Sequence, residues 1–311
     1  MDTQLSKLKI GNTDFDPAGR RVYIMGILNV TPDSFSDGGK FQQIDAALRH
    51  VEEMVRDGAD IVDIGGESTR PGYVHITEAE EIERVARVVR AVKERFDVPV
   101  SVDTYKWRVM DALLAEGADL ANDIWGLRYG KFSGEEDHMA EVVAKHHVPV
   151  VLMHNDALPR ALAERTEEQY AISCTTTRER TDVILRVKNG LLDSVKTAIG
   201  AGISKDNIIL DPGVGFAKTQ EENLTVLKRV GELTDLEYPV LLAASRKSVI
   251  GNVLNLPPEE REEGTIVISV MAAMAGCRFV RVHDVAANRR ALDMAEAIMQ
   301  SGTILNDLLD N

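Results

Sequence analysis

The chain has 311 residues, 44% of them hydrophobic, and carries a formal net charge of −14. This length and apolar content suit one large domain, and the acidity argues against non-specific attraction to a nucleic-acid backbone. The two cysteines, Cys174 and Cys277, are too few and too far apart for a disulfide framework or a zinc cluster. No apolar run reaches the ~18 residues of a membrane span, and no signal-like segment opens the chain. We therefore expect a cytoplasmic protein that binds neither membrane nor nucleic acid.

Short apolar runs alternate along the chain with longer segments of helical periodicity. Such periodicity is clear in two apolar stripes, which begin at Ile44 and Ile82 and each lie opposite a charged face. The predicted strands are residues 22–28, 60–64, 98–102, the neighbourhood of 120–121, 148–153, 207–210, 239–243 and 279–282. This repeated alternation predicts an α/β protein with a (β/α)8 TIM barrel in a single domain.

The chain divides unevenly under this interpretation. We assign residues 21–305 to the barrel and residues 1–20 to a short N-terminal extension, expected as a small hairpin across the bottom of the barrel. The polar segment 155–181 fits neither a helix nor a loop clearly, so its conformation is left unassigned.

Polar residues follow the predicted strands, at the ends where barrel enzymes assemble their active sites. Asp103, Asn122 and Asp211 come from three different strand ends. Carboxylates accept hydrogen bonds, whereas an amide both donates and accepts, so the three suit a flat, nitrogen-rich heterocycle. A single Asp or Asn at such a position is as often an ordinary turn residue, but three that converge favour a binding site.

Cationic residues also adjoin the strand ends, although the chain is acidic overall. Arg70, Lys247, Arg281 and His283 are suited to hold a diphosphate or an aromatic carboxylate. The alternative is that each is a solvated surface charge. The glycine-containing segment 213–218 lacks the spacing of a P-loop and is interpreted as a pocket wall.

An ordered series of motifs resembles the dihydropteroate synthase family from about Tyr23 to Ala297. The most characteristic is Thr31-Pro32-Asp33-Ser34-Phe35-Ser36-Asp37, which follows the first predicted strand. The matching blocks are residues 26–39, 63–72, 101–104, 122–124, 152–154, 211–213, 245–248 and 281–285.

The resemblance implies a transferase of folate biosynthesis and a target of sulfonamides. Such an enzyme condenses 6-hydroxymethyl-7,8-dihydropterin diphosphate with p-aminobenzoate, giving 7,8-dihydropteroate and diphosphate. The resemblance also implies Mg²⁺ as cofactor and a homodimer formed through the last helices.

Residue roles follow from the same resemblance. Asp103, Asn122, Asp211 and Lys247 would hold the pterin, in a pocket lined by Ile124 and Met153, and Asn29 would coordinate Mg²⁺. Diphosphate would be held by Thr69, Arg281 and His283, and p-aminobenzoate by Phe35, Arg70, Pro71, Phe216 and Ser248. Asp37 would stabilise the activated pterin, and the predicted catalytic residues are Lys247, Asp37 and Arg70.

Two alternatives compete with the synthase. A pterin-dependent methyltransferase of the same barrel family would need a corrinoid module or partner, for which we expect no room in this chain. The motifs at 31–37 and 245–248 also favour the synthase. A barrel that binds pterin without turnover is the second alternative, and the retained loops argue against it.

Overall fold

Eight parallel strands form the central sheet in a computed structural model that describes residues 7–30, 40–67, 76–156 and 182–301. Two short antiparallel strands, β1 (Leu8–Ile10) and β2 (Thr13–Phe15), precede them. The parallel strands are β3 (Tyr23–Asn29), β4 (Ile61–Gly65), β5 (Val100–Asp103), β6 (Leu120–Asp123), β7 (Val150–Met153), β8 (Ile208–Asp211), β9 (Leu241–Leu242) and β10 (Phe279–Val282).

The strand order closes the sheet almost completely into a barrel. Hydrogen-bonded neighbours run β8-β7-β6-β5-β4-β3-β10-β9. An isolated parallel bridge between Leu210 and Val240 joins β8 to the residues before β9. The predicted (β/α)8 barrel is therefore confirmed, and all eight predicted strands are present.

Helices alternate with the strands. They are α1 (Lys40–Arg56), α2 (Glu78–Arg95), α3 (Trp107–Ala115), α4 (Tyr129–Ser133), α5 (Met139–His146), α6 (Val183–Gly200), α7 (Gln220–Lys228), α8 (Gly231–Thr234), α9 (Ser248–Leu254), α10 (Glu262–Met274) and α11 (Val285–Gln300). Short 3-10 turns occur at Lys205–Asn207 and Pro258–Glu260.

Local sequence explains where several helices begin. Thr77 and Glu80 form a capping box at the start of α2, and Thr219 and Glu222 form another at the start of α7. Each box satisfies backbone N–H groups that have no partner within the helix. None of the helices in the described ranges is long and apolar enough to cross a membrane.

Apolar packing occurs in two layers. The larger layer lies between the strands and the surrounding helices, where Val62, Val85 and Leu113 are fully buried. The smaller layer joins Leu8, Ile10 and Phe15 of the β1–β2 hairpin to apolar side chains of the barrel strands, including Phe279. The rings of Phe15 and Phe279 lie 5.8 Å apart.

This packing places the predicted hairpin against the barrel, although the division between residues 20 and 21 stays a proposal.

Candidate active site

Backbone register brings three of the predicted site residues onto one arc of the barrel rim. Asn29 pairs with Gly65, Gly65 pairs with Asp103, and Asp103 pairs with Asn122 across β3 to β6. Adjacent strands lie about 4.8 Å apart. Asn29 and Asn122 are 93 residues apart in the sequence. In the barrel they lie at the same level on strands separated only by β4 and β5.

Arg281 at the end of β10 connects this arc to a buried carboxylate. Its Nε donates to Asp63 Oδ2 at 2.6 Å, and its Nη2 donates to Asp103 Oδ2 at 2.7 Å. Asn122 Nδ2 donates to the same Asp63 oxygen at 3.1 Å. Asp63 thus fixes both the guanidinium group of Arg281 and the amide of Asn122.

Asp63 is a site residue that the sequence reasoning missed. It is fully buried, and its Oδ1 has no hydrogen-bond partner among the residues that the structure describes. Its position inside an otherwise apolar strand, Ile61–Gly65, was the available signal, because a carboxylate is seldom fully buried unless it is paired.

Burial shapes the electrostatics of this arc. Desolvation raises the pKa of Asp103, and the nearby carboxylates of Asp63 and Glu81 raise it further, while Arg281 opposes the change. The pKa of Arg281 is raised because the attraction of Asp63 and Asp103 outweighs its own burial. Arg281 therefore remains a cation at any physiological pH.

A second arc of the rim comes from β8 and from the segments that follow β8 and β9. Asp211, at the end of β8, is buried, and its Oδ1 accepts a hydrogen bond from Gly213 N at 2.7 Å. Burial raises the pKa of Asp211, and the charge of Lys247 opposes this.

Lys247, which precedes α9, lies close to the loop after β8. Its Nζ donates to Val214 O at 2.6 Å and lies 4.8 Å from the centre of the Phe216 ring. Burial lowers the pKa of Lys247 to about 8, although Asp211 and Asp103 favour its charged form.

The remaining described site residues are also on this rim. Met153 is buried at the end of β7, in register with Asp211, and Ile124 follows β6 directly. Ser248 is the exposed first residue of α9. His283 follows β10, with its Nδ1 2.9 Å from Ser245 Oγ.

Five predicted residues, Phe35, Asp37, Thr69, Arg70 and Pro71, lie outside the described residues. The residues on either side of the segment 68–75 are described. Lys106 Nζ bonds to the Glu67 carboxylate and, at 2.9 Å, to Ile76 O, so one ammonium group ties the two flanks together.

Asn29 is the described residue that the family resemblance assigns to Mg²⁺. Within the described ranges, no group of three His, Cys, Asp or Glu side chains could hold a metal ion. Asn29 is half-buried at the end of β3 and offers an amide oxygen. Mg²⁺ is commonly held by one or two protein oxygens together with substrate phosphates and waters, so the residues present fit it.

The rim at the C-terminal ends of the strands carries acidic acceptors, an amide and cations. This arrangement is typical of (β/α)8-barrel enzymes, and it suits a polar, partly anionic substrate. Residues 25–283 match the family described as pterin binding enzyme. The chain belongs to this family, among the dihydropteroate synthases.

The relatives and neighbours support this membership. The chain is 48% identical over 294 residues to the dihydropteroate synthase of Clostridium beijerinckii, covering 94% of this chain and 100% of the relative. The Clostridium difficile dihydropteroate synthase, solved in the presence of pteroic acid, superposes with a TM-score of 0.79 at 45% identity, covering 90% of this chain and 97% of that one. The Xanthomonas albilineans dihydropteroate synthase with 4-aminobenzoic acid has a TM-score of 0.80 at 36% identity, covering 94% and 98% of the two chains.

Proposed function

We propose that this protein condenses 6-hydroxymethyl-7,8-dihydropterin diphosphate with p-aminobenzoate, forming 7,8-dihydropteroate and diphosphate. The observation that carries the proposal is the meeting of Asp103, Asn122, Asp211 and Lys247 on one barrel rim. Relatives named as dihydropteroate synthases, and neighbours solved with pteroic acid or 4-aminobenzoic acid, support the same reaction.

Pterin recognition follows from the donors and acceptors of the rim. The ring presents amino and amide hydrogens, which the carboxylates of Asp103 and Asp211 would accept. Asn122 already donates to Asp63, so its Oδ1 remains as an acceptor and its amide orientation is fixed. Lys247 would donate to a ring acceptor, while Ile124 and Met153 would contact the ring faces.

The diphosphate would lie beside the cations of the rim. Arg281 and His283, with Thr69 outside the described residues, would donate to its oxygens. Asn29 would hold Mg²⁺ through its amide oxygen. When bound, this ion would neutralise charge that develops on the departing diphosphate.

The second substrate would enter against Phe216 and Ser248, with Phe35, Arg70 and Pro71 completing its pocket from outside the described residues. The p-aminobenzoate nitrogen would form a bond to the pterin methylene carbon as the bond from that carbon to the diphosphate oxygen breaks. The nitrogen then loses a proton to solvent or to the departing diphosphate. Because the amine itself attacks the carbon, no protein nucleophile is needed. Asp37 would stabilise positive charge on the pterin if departure precedes attack.

A steady-state assay of diphosphate release tests this function. We expect release only when pterin diphosphate, p-aminobenzoate and Mg²⁺ are all present, with one dihydropteroate formed per diphosphate. Methyl transfer from methyltetrahydrofolate in place of this reaction would favour the methyltransferase alternative. Pterin binding without turnover would favour the non-catalytic barrel.

A homodimer and a cytoplasmic location complete the proposal. Helices α10 and α11 pack together and leave several large apolar side chains exposed, including Val267 and Met274 on α10 and Met294 and Ile298 on α11. Contiguous exposed apolar surface commonly marks a protein interface. Sedimentation of the purified protein tests the dimer.

A further inference from the structure

The loop after β8, residues 213–218, has an unusual backbone. Gly213 has a φ of +67° and Gly215 a φ of +86°, and Ala217 between Phe216 and Lys218 has a φ of +47°. Alanine rarely adopts this left-handed region, so surrounding contacts must hold the loop in place. The loop matters because Val214 and Phe216 both contact Lys247.

Lys218 provides the main contacts that hold this loop. Its Nζ donates to Gly213 O at 2.9 Å, to Phe216 O at 3.1 Å and to His154 Nδ1 at 3.1 Å. Burial lowers the pKa of Lys218 to about 7, although Asp156 and Asp211 favour its charged form. In the ammonium form Lys218 has three donors, and each has one acceptor here. Two of the acceptors belong to the loop itself, so the backbone folds around the ammonium group of Lys218.

His154, the third acceptor, is fully buried directly after β7. Its Nε2 lies 3.3 Å from Asp156 Oδ2 but has no hydrogen-bond partner among the described residues. Asp156 in turn accepts from Arg186 Nε at 3.0 Å, and Arg186 pairs with Glu222 at 2.9 Å.

The protonation of His154 agrees with this arrangement. Burial, with the neighbouring cations Lys218, Arg128 and Arg186, lowers the pKa of His154 well below its ordinary value. A neutral imidazole is what Lys218 requires, because Nδ1 must keep its lone pair to accept.

The loop also approaches the end of β7 very closely. A Cβ at Gly213 would lie 1.9 Å from His154 O, so only glycine fits. Asn223 supports the same loop from α7, accepting from Gly215 N at 2.7 Å and donating to Lys218 O at 3.1 Å. Contacts from β7 and α7 therefore hold the loop in the conformation observed.

We propose that Lys218 is a positioning residue, whose ammonium group shapes loop 213–218 and thereby sets the Phe216 ring and the Val214 carbonyl against Lys247. The proposal rests on the proposed function, in which Phe216 contacts p-aminobenzoate and Lys247 contacts the pterin. Lys218 acts through these neighbours and touches neither substrate. Loss of the Lys218 side chain should therefore raise the KM for p-aminobenzoate while the protein still folds.

Substitution of Lys218 by Met, which keeps the length but removes the donors, tests the proposal. The exposed Lys228 at the end of α7 gives the matched control, Lys228→Met. We expect Lys218→Met to raise the KM for p-aminobenzoate at least ~10-fold, because misplacement of a contacting group is costly. Lys218→Gln keeps two donors, so its KM for p-aminobenzoate should lie between those of the unmodified protein and Lys218→Met. The KM of Lys228→Met should match that of the unmodified protein.

A double-mutant cycle with Phe216→Leu separates positioning from a merely structural role. If Lys218 acts through Phe216, the effects of Lys218→Met and Phe216→Leu on this KM should be clearly less than additive. Additive effects, or an unchanged KM in a folded Lys218→Met or Lys218→Gln protein, would overturn the inference. Absence of dihydropteroate formation by the unmodified protein would instead overturn the proposed function, which the same assay measures first.

Discussion

Asp103→Asn is the substitution that most sharply tests the electrostatics of the rim. The change keeps the shape of the side chain but removes a negative charge 2.7 Å from Arg281 Nη2. It also replaces a carboxylate proposed to accept hydrogens from the pterin with an amide that accepts less strongly. Asp63 remains as the second carboxylate partner of Arg281, so the barrel should still fold.

The size of the effect follows from the loss of one charge-assisted hydrogen bond. Such bonds contribute ~1.5–3 kcal/mol, and each ~1.4 kcal/mol corresponds to tenfold in rate. We therefore expect kcat/KM for pterin diphosphate to fall ~10- to ~150-fold. The KM for p-aminobenzoate should change much less, because Asp103 is assigned to the first substrate.

The pH dependence gives a second signature. The pKa of Asp103 is raised by burial, so its carboxylate form is present above that pKa and is lost as the pH falls through it. The acid limb of kcat/KM should accordingly lie above the ordinary Asp range and shift in Asp103→Asn, in which Asp211, whose pKa burial also raises, is the other carboxylate proposed to bind the pterin. Diphosphate release across a pH series measures this, with the exposed Asp14→Asn as control. An unchanged acid limb with full kcat/KM would refute the reasoning.

Three further variants test other parts of the molecule. Lys247→Met should lower kcat/KM for pterin diphosphate more below pH 8 than above it, because the pKa of Lys247 is lowered to about 8 and its ammonium form is lost above that pH. An unchanged kcat/KM across the pH series would contradict the assignment. Phe15→Ala, in the hairpin beneath the barrel, should lower the free energy of unfolding by ~3–5 kcal/mol in chemical denaturation, and a stability loss below ~1 kcal/mol would argue against that packing. Val267→Glu together with Met274→Glu should give a monomer in sedimentation, whereas an unaffected oligomer would place the interface elsewhere.

Much of the fold was predictable because buried parallel strands appear as short apolar runs. The strand predicted at 279–282 is found as Phe279–Val282, and the others differ from the prediction at one or both ends. The predicted strand at 239–243 is shortened to Leu241–Leu242. Pro239 has no N–H to donate, so the regular hydrogen-bonded pairing begins beyond it.

From sequence pattern alone, the candidate site was predictable only where polar residues lie at the C-terminal ends of predicted strands. Asp103, Asn122 and Asp211 could be placed on the rim because strand ends converge in a barrel. The pairing of Asp63 with Arg281 joins residues 218 positions apart, and that of Lys218 with His154 joins residues 64 apart. The local periodicity of the sequence cannot predict such contacts, because they depend on the closure of the barrel and on the conformation of one loop.

A crystal structure of the complex with 6-hydroxymethylpterin diphosphate and Mg²⁺ tests the central claim most directly. We expect the ring hydrogens within hydrogen-bond distance of Asp103 and Asp211, the Asn122 amide and Lys247 Nζ beside the ring, and the diphosphate against Arg281. A pterin bound away from these side chains, or a diphosphate with no contact to Arg281, would contradict the account.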